Sequence, residues 1–262
     1  MRSCIPLYNS LASDFDAFFA VPHRRAYDDL AWEKILPLLP AESGIVVDVG
    51  CGVGRWAERF LALGHFFIGI EQAPAMMAVA RQRLQTSLLD GMVELIEGPM
   101  EEINLPDSKA HLVVAMGSVQ YSSEPEQMIK RFAKWTQPGG WVAILVDSLV
   151  ALVLELIASG KEAEALKRLE TGIAVWRQED QQAEYHLFDR LRLEEAFDDA
   201  GLTAITSCGL LVGASALGRD RLTSRLLEET ERQIALERKL ASHELLADVG
   251  KQILVYGQRP VE

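Results

Sequence analysis

The chain has 262 residues, 49% of them apolar, which is enough to bury a sizeable core as one large domain or as one domain with a cap. A formal net charge of −12 argues against a nucleic-acid partner, because such a partner requires a basic surface. The three cysteines, Cys4, Cys51 and Cys208, are scattered and include no C-x-x-C pair. They indicate neither a disulfide framework nor a zinc site, and they fit a reduced, cytoplasmic location.

Neither a signal peptide nor a membrane partner is expected. Residues 1–6 lack the apolar segment of a signal peptide. The run 141–158 is the most membrane-like, but Asp147, Ser148 and Glu155 interrupt it. We interpret it as a buried strand followed by a helix.

Residues 7–38 are predicted to form one or two helices that end at Pro37 and Pro40. Their aromatic residues, including Tyr8, can pack these helices onto a sheet.

The most informative stretch runs from Ile45 to Trp56. An apolar, β-branched run with no charge before Asp48 predicts a strand buried on both faces. Gly50, Gly52 and Gly54 follow at alternate positions, and a helix is predicted over 55–63. Because glycine tolerates positive φ and has no Cβ, the backbone here can come very close to a ligand.

The glycine spacing is G-x-G-x-G, not the G-x-G-x-x-G of dinucleotide-binding proteins. Arg55 would crowd a pyrophosphate and Asp48 would repel it, which disfavours an NAD(P) oxidoreductase. Asp48 suits a cationic or amino-bearing ligand instead. The stretch resembles motif I of the class I S-adenosylmethionine (SAM)-dependent methyltransferases, D/E-x-G-x-G-x-G, in which Gly50-Cys51-Gly52 is a common variant.

A second strand is predicted over 65–71 and a helix over 74–84. Glu71 ends the strand about 20 residues after the glycine loop, where a doubly wound fold brings strands 1 and 2 together. The resemblance implies that Glu71 binds the ribose hydroxyls of SAM, with Gln72 beside it. An N-cap role for Glu71 is compatible with this.

Many small-molecule methyltransferases of this class also place N-terminal helices over the cofactor, with an aromatic residue near a Tyr-Asn or Tyr-Asp pair. Tyr8-Asn9 resembles this feature, so Tyr8 either contacts the cofactor or only packs the helices onto the sheet.

The third strand is predicted over 92–97. In the family, an Asp usually follows the next glycine and meets the adenine amino group, but this chain has Pro99, which offers neither a carboxylate nor an N–H. Met100, through its N–H and thioether, and Glu101, as the nearest acid, are the adenine contacts that the resemblance leaves.

A fourth strand over 110–116 ends beside the next candidate residues. Ligands of open α/β sheets lie beyond the carboxyl ends of the strands. Met116 is therefore a candidate for the cofactor, and Ser118, Gln120 and Tyr121 are candidates for the substrate.

A helix over 124–135, a Pro-Gly-Gly turn over 137–140 and a strand over 141–146 complete the alternation. It predicts an α/β fold with a doubly wound parallel sheet. The resemblance implies the seven-stranded, mostly parallel, Rossmann-like methyltransferase sheet, here with N-terminal helices and a helical cap.

The remainder departs from the family pattern. The predicted elements are a helical stretch over 149–177 broken at 159–160, a helix over 193–200, strands over 202–207 and 252–256, and a charged helical stretch over 219–248. Leu222, Leu226, Leu236 and Leu240 face one side of that charged stretch.

The chain is predicted to divide into four segments. They are 1–40, N-terminal cap helices; 41–148, SAM-binding core; 149–190, helical lid; and 191–262, the end of the sheet with an insertion at about 213–250. The insertions form a lid over the acceptor, or the charged helix is a solvated surface or dimer contact.

Transfer to a hydroxyl or phenol requires deprotonation, and His186 is the candidate base, although it can equally pack the lid against the sheet. His23 is a weaker candidate. Arg24 or Arg25 can pair with an acidic substrate, with the cofactor carboxylate or with surface acids. No acidic and histidine cluster resembles a metal site, so metal-independent transfer is expected.

The sequence therefore predicts a class I SAM-dependent methyltransferase that methylates an oxygen or nitrogen of a small molecule, as a monomer or homodimer. The alternatives are a SAM-binding enzyme of another reaction type and a non-catalytic SAM-binding protein. A roomy pocket above the methyl group would favour an enzyme, and a filled one the binding protein.

Overall fold

The computed structural model describes residues 3–261. Met1, Arg2 and Glu262, which belong to the first and last predicted segments, lie outside the described residues. The strands are β1 Ile45–Val49, β2 Phe66–Glu71, β3 Val93–Glu97, β4 Ala110–Met116, β5 Thr136–Asp147, β6 Ile173–Gln178, β7 Gln181–His186, β8 Thr203–Leu210 and β9 Gln252–Gln258.

Helices cover both faces of the main sheet. They are α1 Ile5–Leu11, α2 Phe15–Phe19, α3 Pro22–Ile35, α4 Ala57–Leu61, α5 Pro74–Arg83, α6 Gln85–Leu89, α7 Pro125–Trp135, α8 Leu149–Ala158, α9 Glu162–Thr171, α10 Arg190–Asp199, α11 Val212–Leu217, α12 Arg219–Glu228 and α13 Thr230–Ala241, with 3₁₀ turns at Ala12–Asp14, Leu36–Leu38, Val119–Tyr121 and Glu244–Val249. No helix within residues 3–261 is long and apolar enough to cross a membrane.

The main sheet has seven strands in the order β3-β2-β1-β4-β5-β9-β8. The first five are parallel, and β9 runs antiparallel to both of its neighbours. This confirms the predicted doubly wound, mostly parallel α/β sheet. The strand order reverses between β1 and β4, and ligands of such sheets bind in the crevice beyond the strand ends at that point.

Side-chain alternation along β1 divides the core into two layers. Val46 packs in the layer that contains Ile35 and Phe60, while Val47 packs on the opposite face with Phe132. All five side chains are fully buried. The structure therefore confirms the prediction that β1 is a strand buried on both faces. The loop after β1 follows directly from this buried strand.

The lid contains a hairpin that the sequence analysis missed. Helix was predicted through residue 177, but α9 ends at Gly172, whose φ of 62° is left-handed, and β6 and β7 follow as an antiparallel pair. Three of the four apolar residues of β6, Ile173, Val175 and Trp176, are β-branched or aromatic and favour an extended chain over a helix. Ala183 of β7 then packs with Leu7 of α1, a contact that no local pattern encodes.

The leucines predicted to lie on one side of the charged helical stretch are not all buried in the structure. Leu222 of α12 is buried, but Leu236 of α13 is exposed. The buried face of α13 carries Gln233 and Glu237 instead. The Glu237 carboxylate accepts hydrogen bonds from the N–H of Gly213 at 3.1 Å and from Gln233 Nε2 at 3.0 Å, which satisfies these buried polar groups.

The predicted Pro-Gly-Gly turn lies inside β5. Gly139 has φ +78°, and the pairing of β5 with β4 shifts register between Ala110 and Leu112. Residues 137–140 therefore form an irregular entry to the strand, while 141–146 pair regularly as predicted.

Candidate functional site

The glycine loop after β1 is held against its neighbours by backbone contacts. The N–H groups of Gly50 and Cys51 both donate to the carbonyl of Ile70, at 2.7 and 2.9 Å. Gly50 has φ +77°, and a Cβ there would lie 2.3 Å from Ser118 Cβ. Gly52 has φ +57°, and a Cβ there would meet only Phe15 Cε1, at an ordinary contact distance of 3.8 Å. The loop therefore lets the backbone border a cavity directly.

Asp48 is the penultimate residue of β1, before this loop, and is 2% exposed. Within residues 3–261, its Oδ1 has no hydrogen-bond partner. Burial, and then the nearby Glu71 carboxylate, raise the pKa of Asp48 to about 8. A buried carboxylate without a partner is costly, and an ammonium group of a ligand would satisfy it.

Glu71 faces the same cavity from the end of β2. Its Oε2 accepts a hydrogen bond from Gly52 N at 3.0 Å, and its Oε1 accepts one from Ala73 N at 2.7 Å. Burial raises its pKa, although these backbone donors oppose the shift. Each carboxylate oxygen has a further lone pair, so both can accept from ligand hydroxyls.

A cavity of about 320 Å³ lies beyond the carboxyl ends of β1, β2, β4 and β5. Most of the predicted site residues line it together: Tyr8, Asp48, Gly50, Cys51, Gly52, Glu71, Gln72, Met100, Met116, Ser118, Gln120 and Tyr121.

Five predicted residues do not line this cavity. The buried Gly54 packs against Leu84, whose Cδ1 would lie 3.0 Å from a Cβ at this position. Pro99 and Glu101 lie beside the lining residues Gly98 and Met100, which leaves Met100 as the contact available on that side. The other two are His186 and Arg25.

The placement of His186 disfavours it as a base. It lies on β7, where Tyr185 faces the cavity, and successive strand side chains point to opposite faces. His186 hydrogen-bonds the backbone of Ser122, and burial followed by the charge of Arg192 lowers its pKa. Its Nε2 is buried without a partner among residues 3–261. Strand alternation would have identified Tyr185, had the hairpin been recognised.

Arg25 is exposed and borders a separate surface depression together with Asp28 and Asp29. The adjacent Arg24 is half-buried and lines the main cavity instead. Helical geometry separates neighbouring side chains by about 100°, which explains why only one of the two faces inward.

Aromatic side chains form one wall of the cavity. The rings of Tyr8 and Tyr121 lie 5.6 Å apart, Tyr8 and Trp176 also 5.6 Å apart, and Tyr121 and Tyr185 5.5 Å apart. Phe18 contacts Trp176 at 5.6 Å. These rings come from α1, α2, the turn after β4 and the hairpin, so the sequence places them far apart.

Asp147 adds a carboxylate to the cavity at the end of β5. Gln252 Nε2 donates to its Oδ1 at 3.3 Å, and the Tyr185 hydroxyl is hydrogen-bonded to the same carboxylate. The Asp147 N–H donates to Gln120 Oε1 at 2.9 Å. Sequence analysis did not assign Asp147 to the site, although the strand-end rule that identified Asp48 and Glu71 applies to it equally.

Within residues 3–261, no three His, Cys, Asp or Glu side chains are grouped so that they could hold a metal ion.

Residues 47–144 match the model of a family described as "Methyltransferase domain". A malonyl-[acyl-carrier protein] O-methyltransferase of Pectobacterium atrosepticum is 28% identical over 112 residues, 42% of this chain and 42% of that protein. A phosphatidylethanolamine N-methyltransferase of Cereibacter sphaeroides is 30% identical over 109 residues, 40% of this chain and 51% of that protein. The chain thus matches about half, or less, of the length of these curated relatives.

The likeness in fold extends further. The crystal structure of a SAM-dependent methyltransferase from Thermotoga maritima aligns with a TM-score of 0.61 at 17% identity, covering 97% of this chain and 99% of that one.

Proposed function

We propose that this chain, whose residues 47–144 match a methyltransferase-domain family, is a class I SAM-dependent methyltransferase that transfers a methyl group from SAM to an oxygen or nitrogen of a small molecule. The observation that carries the proposal is the joint placement of Asp48, the glycine loop and Glu71 on one cavity that continues past an aromatic wall.

The residues at the glycine-loop end fit SAM. The unpartnered Asp48 Oδ1 suits the ammonium group of the methionine portion, and the free lone pairs of Glu71 suit the ribose hydroxyls. Gly52 leaves room for close approach because a Cβ there would have only one atom within 4 Å, Phe15 Cε1 at 3.8 Å. Met100 offers a backbone N–H and a thioether to the adenine, in place of the Asp that is missing at Pro99.

SAM supplies a methyl group on a positively charged sulfur, so the acceptor atom needs alignment more than activation. In this chain Tyr8, Tyr121 and Trp176 exclude water from the region beside the loop. Asp147 is the carboxylate placed to accept a proton from a hydroxyl or ammonium acceptor there.

The predicted cap segments support a role in choosing the acceptor. The segment 1–40 contributes Phe18 to the cavity, 149–190 contributes Trp176 and Tyr185, and the insertion near 213–250 contributes Ala214. We propose that these segments together form the acceptor side of the site. The two curated relatives are an O-methyltransferase and an N-methyltransferase, so we propose either oxygen or nitrogen as the acceptor atom.

Calorimetric titration with SAM, S-adenosylhomocysteine (SAH) and NAD tests the cofactor. We expect micromolar binding of the first two and none of NAD; tighter binding of NAD, or no SAM binding, would overturn the proposal. Formation of SAH on incubation with acceptor panels then tests catalysis. SAM binding without turnover of any hydroxyl or amine acceptor would instead favour the non-catalytic SAM-binding protein.

A further inference from the structure

Besides Arg55, which is ion-paired with Asp28, four basic side chains border the same cavity: His23, Arg24, Arg219 and Lys251. They come from α3, from the start of α12 and from the residue before β9. Burial and then the charges of Arg24, Arg219 and Lys251 lower the pKa of His23, against the opposing charge of Asp220. None belongs to the glycine loop or to the strand ends that fit SAM.

Acidic partners match only part of this positive charge. Glu155 forms ion pairs with both Arg219, at 2.8 Å, and Lys251. Asp147 also lines the cavity and its charge acts on Arg24, but its described hydrogen bonds come from Gln252 and Tyr185 rather than from a cation. Glu155 is therefore shared between Arg219 and Lys251.

Arg24 is the cation without an acidic partner. Among residues 3–261 it forms no ion pair; its Nη1 donates to the Phe18 carbonyl at 2.9 Å, and its guanidinium carbon lies 3.0 Å from the centre of the Phe18 ring. Burial is the main cause that lowers its pKa, to about 10, so it remains charged at neutral pH. A guanidinium has five N–H donors in a fixed plane, and the Phe18 contact orients that plane while leaving donors for a bidentate acceptor.

The aromatic wall continues from this cation. Phe18, on which Arg24 stacks, contacts Trp176, and Trp176 contacts Tyr8. A molecule with an apolar or aromatic body along this wall would bring an anionic end to Arg24.

Building on the proposed methyl transfer, we propose that the acceptor carries an anionic group, a carboxylate or a phosphate, and that Arg24 binds this group with support from Arg219 and Lys251. The acceptor atom lies at the other end of the molecule, toward the glycine loop. Neutral and purely cationic molecules of the same shape bind more weakly because they leave the Arg24 charge unmatched.

The test uses SAH-saturated protein and four small probes of similar shape, titrated calorimetrically: phenylacetate, phenyl phosphate, phenylacetamide and 2-phenylethylamine. We expect at least one anionic probe to bind about tenfold or more tightly than the amide and the amine, as charge-assisted hydrogen bonds predict. The relative affinity of the two anionic probes distinguishes a carboxylate site from a phosphate site. Preference for the amine or the amide, or no anion binding below about 1 mM, would overturn the inference.

Variants test whether Arg24 is the residue that binds the anionic group. Arg24→Gln should lose the anion preference, whereas the exposed neighbour Arg25→Gln should keep it. The double variant Arg219→Gln, Lys251→Gln should weaken anion binding by a smaller factor. If Arg24→Gln folds poorly, the anion affinity of this double variant tests the site instead.

SAH affinity in the same titrations separates this inference from the proposed function. If Arg24→Gln weakens SAH binding and leaves anion binding intact, the arginine holds the cofactor carboxylate and the inference is wrong. Wild-type protein that binds SAH but shows no anion preference would refute the inference alone. Failure of the wild type to bind SAH would refute the proposed function.

Discussion

The Oε2 atom of Glu71 accepts a hydrogen bond from the backbone N–H of Gly52, 3.0 Å away, so the acid that ends β2 holds the glycine loop that follows β1. The same carboxylate can bind a ligand through its remaining lone pairs. Glu71 thus positions the glycine loop and also offers its remaining lone pairs to a ligand.

Glu71→Gln should reduce SAH affinity by about ten- to a hundredfold, because hydrogen bonds to a charged acceptor contribute about 1.5–3 kcal/mol. The amide loses the charge and directs a donor toward backbone N–H groups. Glu97→Gln is the matched control, since Glu97 ends the neighbouring strand β3 but is exposed and does not line the cavity. Calorimetry that found equal losses in both variants would contradict a ligand-binding role for Glu71.

Asp48 should make cofactor binding release protons. Its pKa of about 8 means that the ligand-free protein holds a proton on Asp48 at pH 7. An ammonium group beside it favours the ionised carboxylate, so binding at pH 7 should release up to about one proton. Titrations in two buffers of different ionisation enthalpy measure this number, and proton uptake would count against the contact.

The same raised pKa of Asp48 predicts a pH dependence of folding stability. The unfolded chain loses this proton near pH 4, whereas the ligand-free fold keeps it until about pH 8. The stability contributed by the protonated group is therefore complete below pH 4 and is lost as the pH rises through 8. Asp48→Asn should give a shallower decline in melting temperature between pH 6 and 9. Some decline should remain, because burial raises the pKa of Glu71 as well.

Gly50→Ala should be much more harmful than Gly64→Ala. Both glycines have positive φ, +77° and +82°, so both variants incur a backbone cost of about 1–2 kcal/mol. A Cβ at Gly64 meets no atom within 4 Å, whereas one at Gly50 lies 2.3 Å from Ser118 Cβ. Chemical denaturation should show a further loss of about 1–3 kcal/mol for Gly50→Ala, and calorimetry should show lost SAH binding. Similar results for both variants would mean that the loop relaxes freely.

Asp147→Asn should lower kcat with an identified acceptor by about tenfold or more, if the acceptor gives up its proton there, and should leave SAH affinity nearly unchanged. His186→Gln should leave both quantities unchanged because His186 does not line the cavity. Steady-state kinetics and calorimetry on the two variants decide between them. A loss of turnover in His186→Gln alone would restore the histidine as the base.

The sequence by itself determined the sheet and the position, at the strand ends, of the residues that we propose bind SAM. A parallel strand covered on both faces is a continuous apolar run, and residues such as Asp48, Gly50 and Glu71 immediately follow or end such runs. Their relation to the strand is therefore encoded over a few neighbouring positions. The predicted limits of β4, 110–116, agree with the structure for the same reason.

Only the tertiary structure decided the acceptor half. Arg24, Asp147, Trp176 and Lys251 lie far apart in the chain and meet because α3, β5, β6 and the start of β9 border the same cavity. Short elements such as β6 and β7 have no long periodic pattern, and their packing against α1 selects strand over helix. The rotation of an element in the fold decides which of two neighbouring side chains faces the cavity. Arg24 faces it rather than Arg25, and Tyr185 rather than His186. That rotation follows from contacts between distant segments, which no local pattern records.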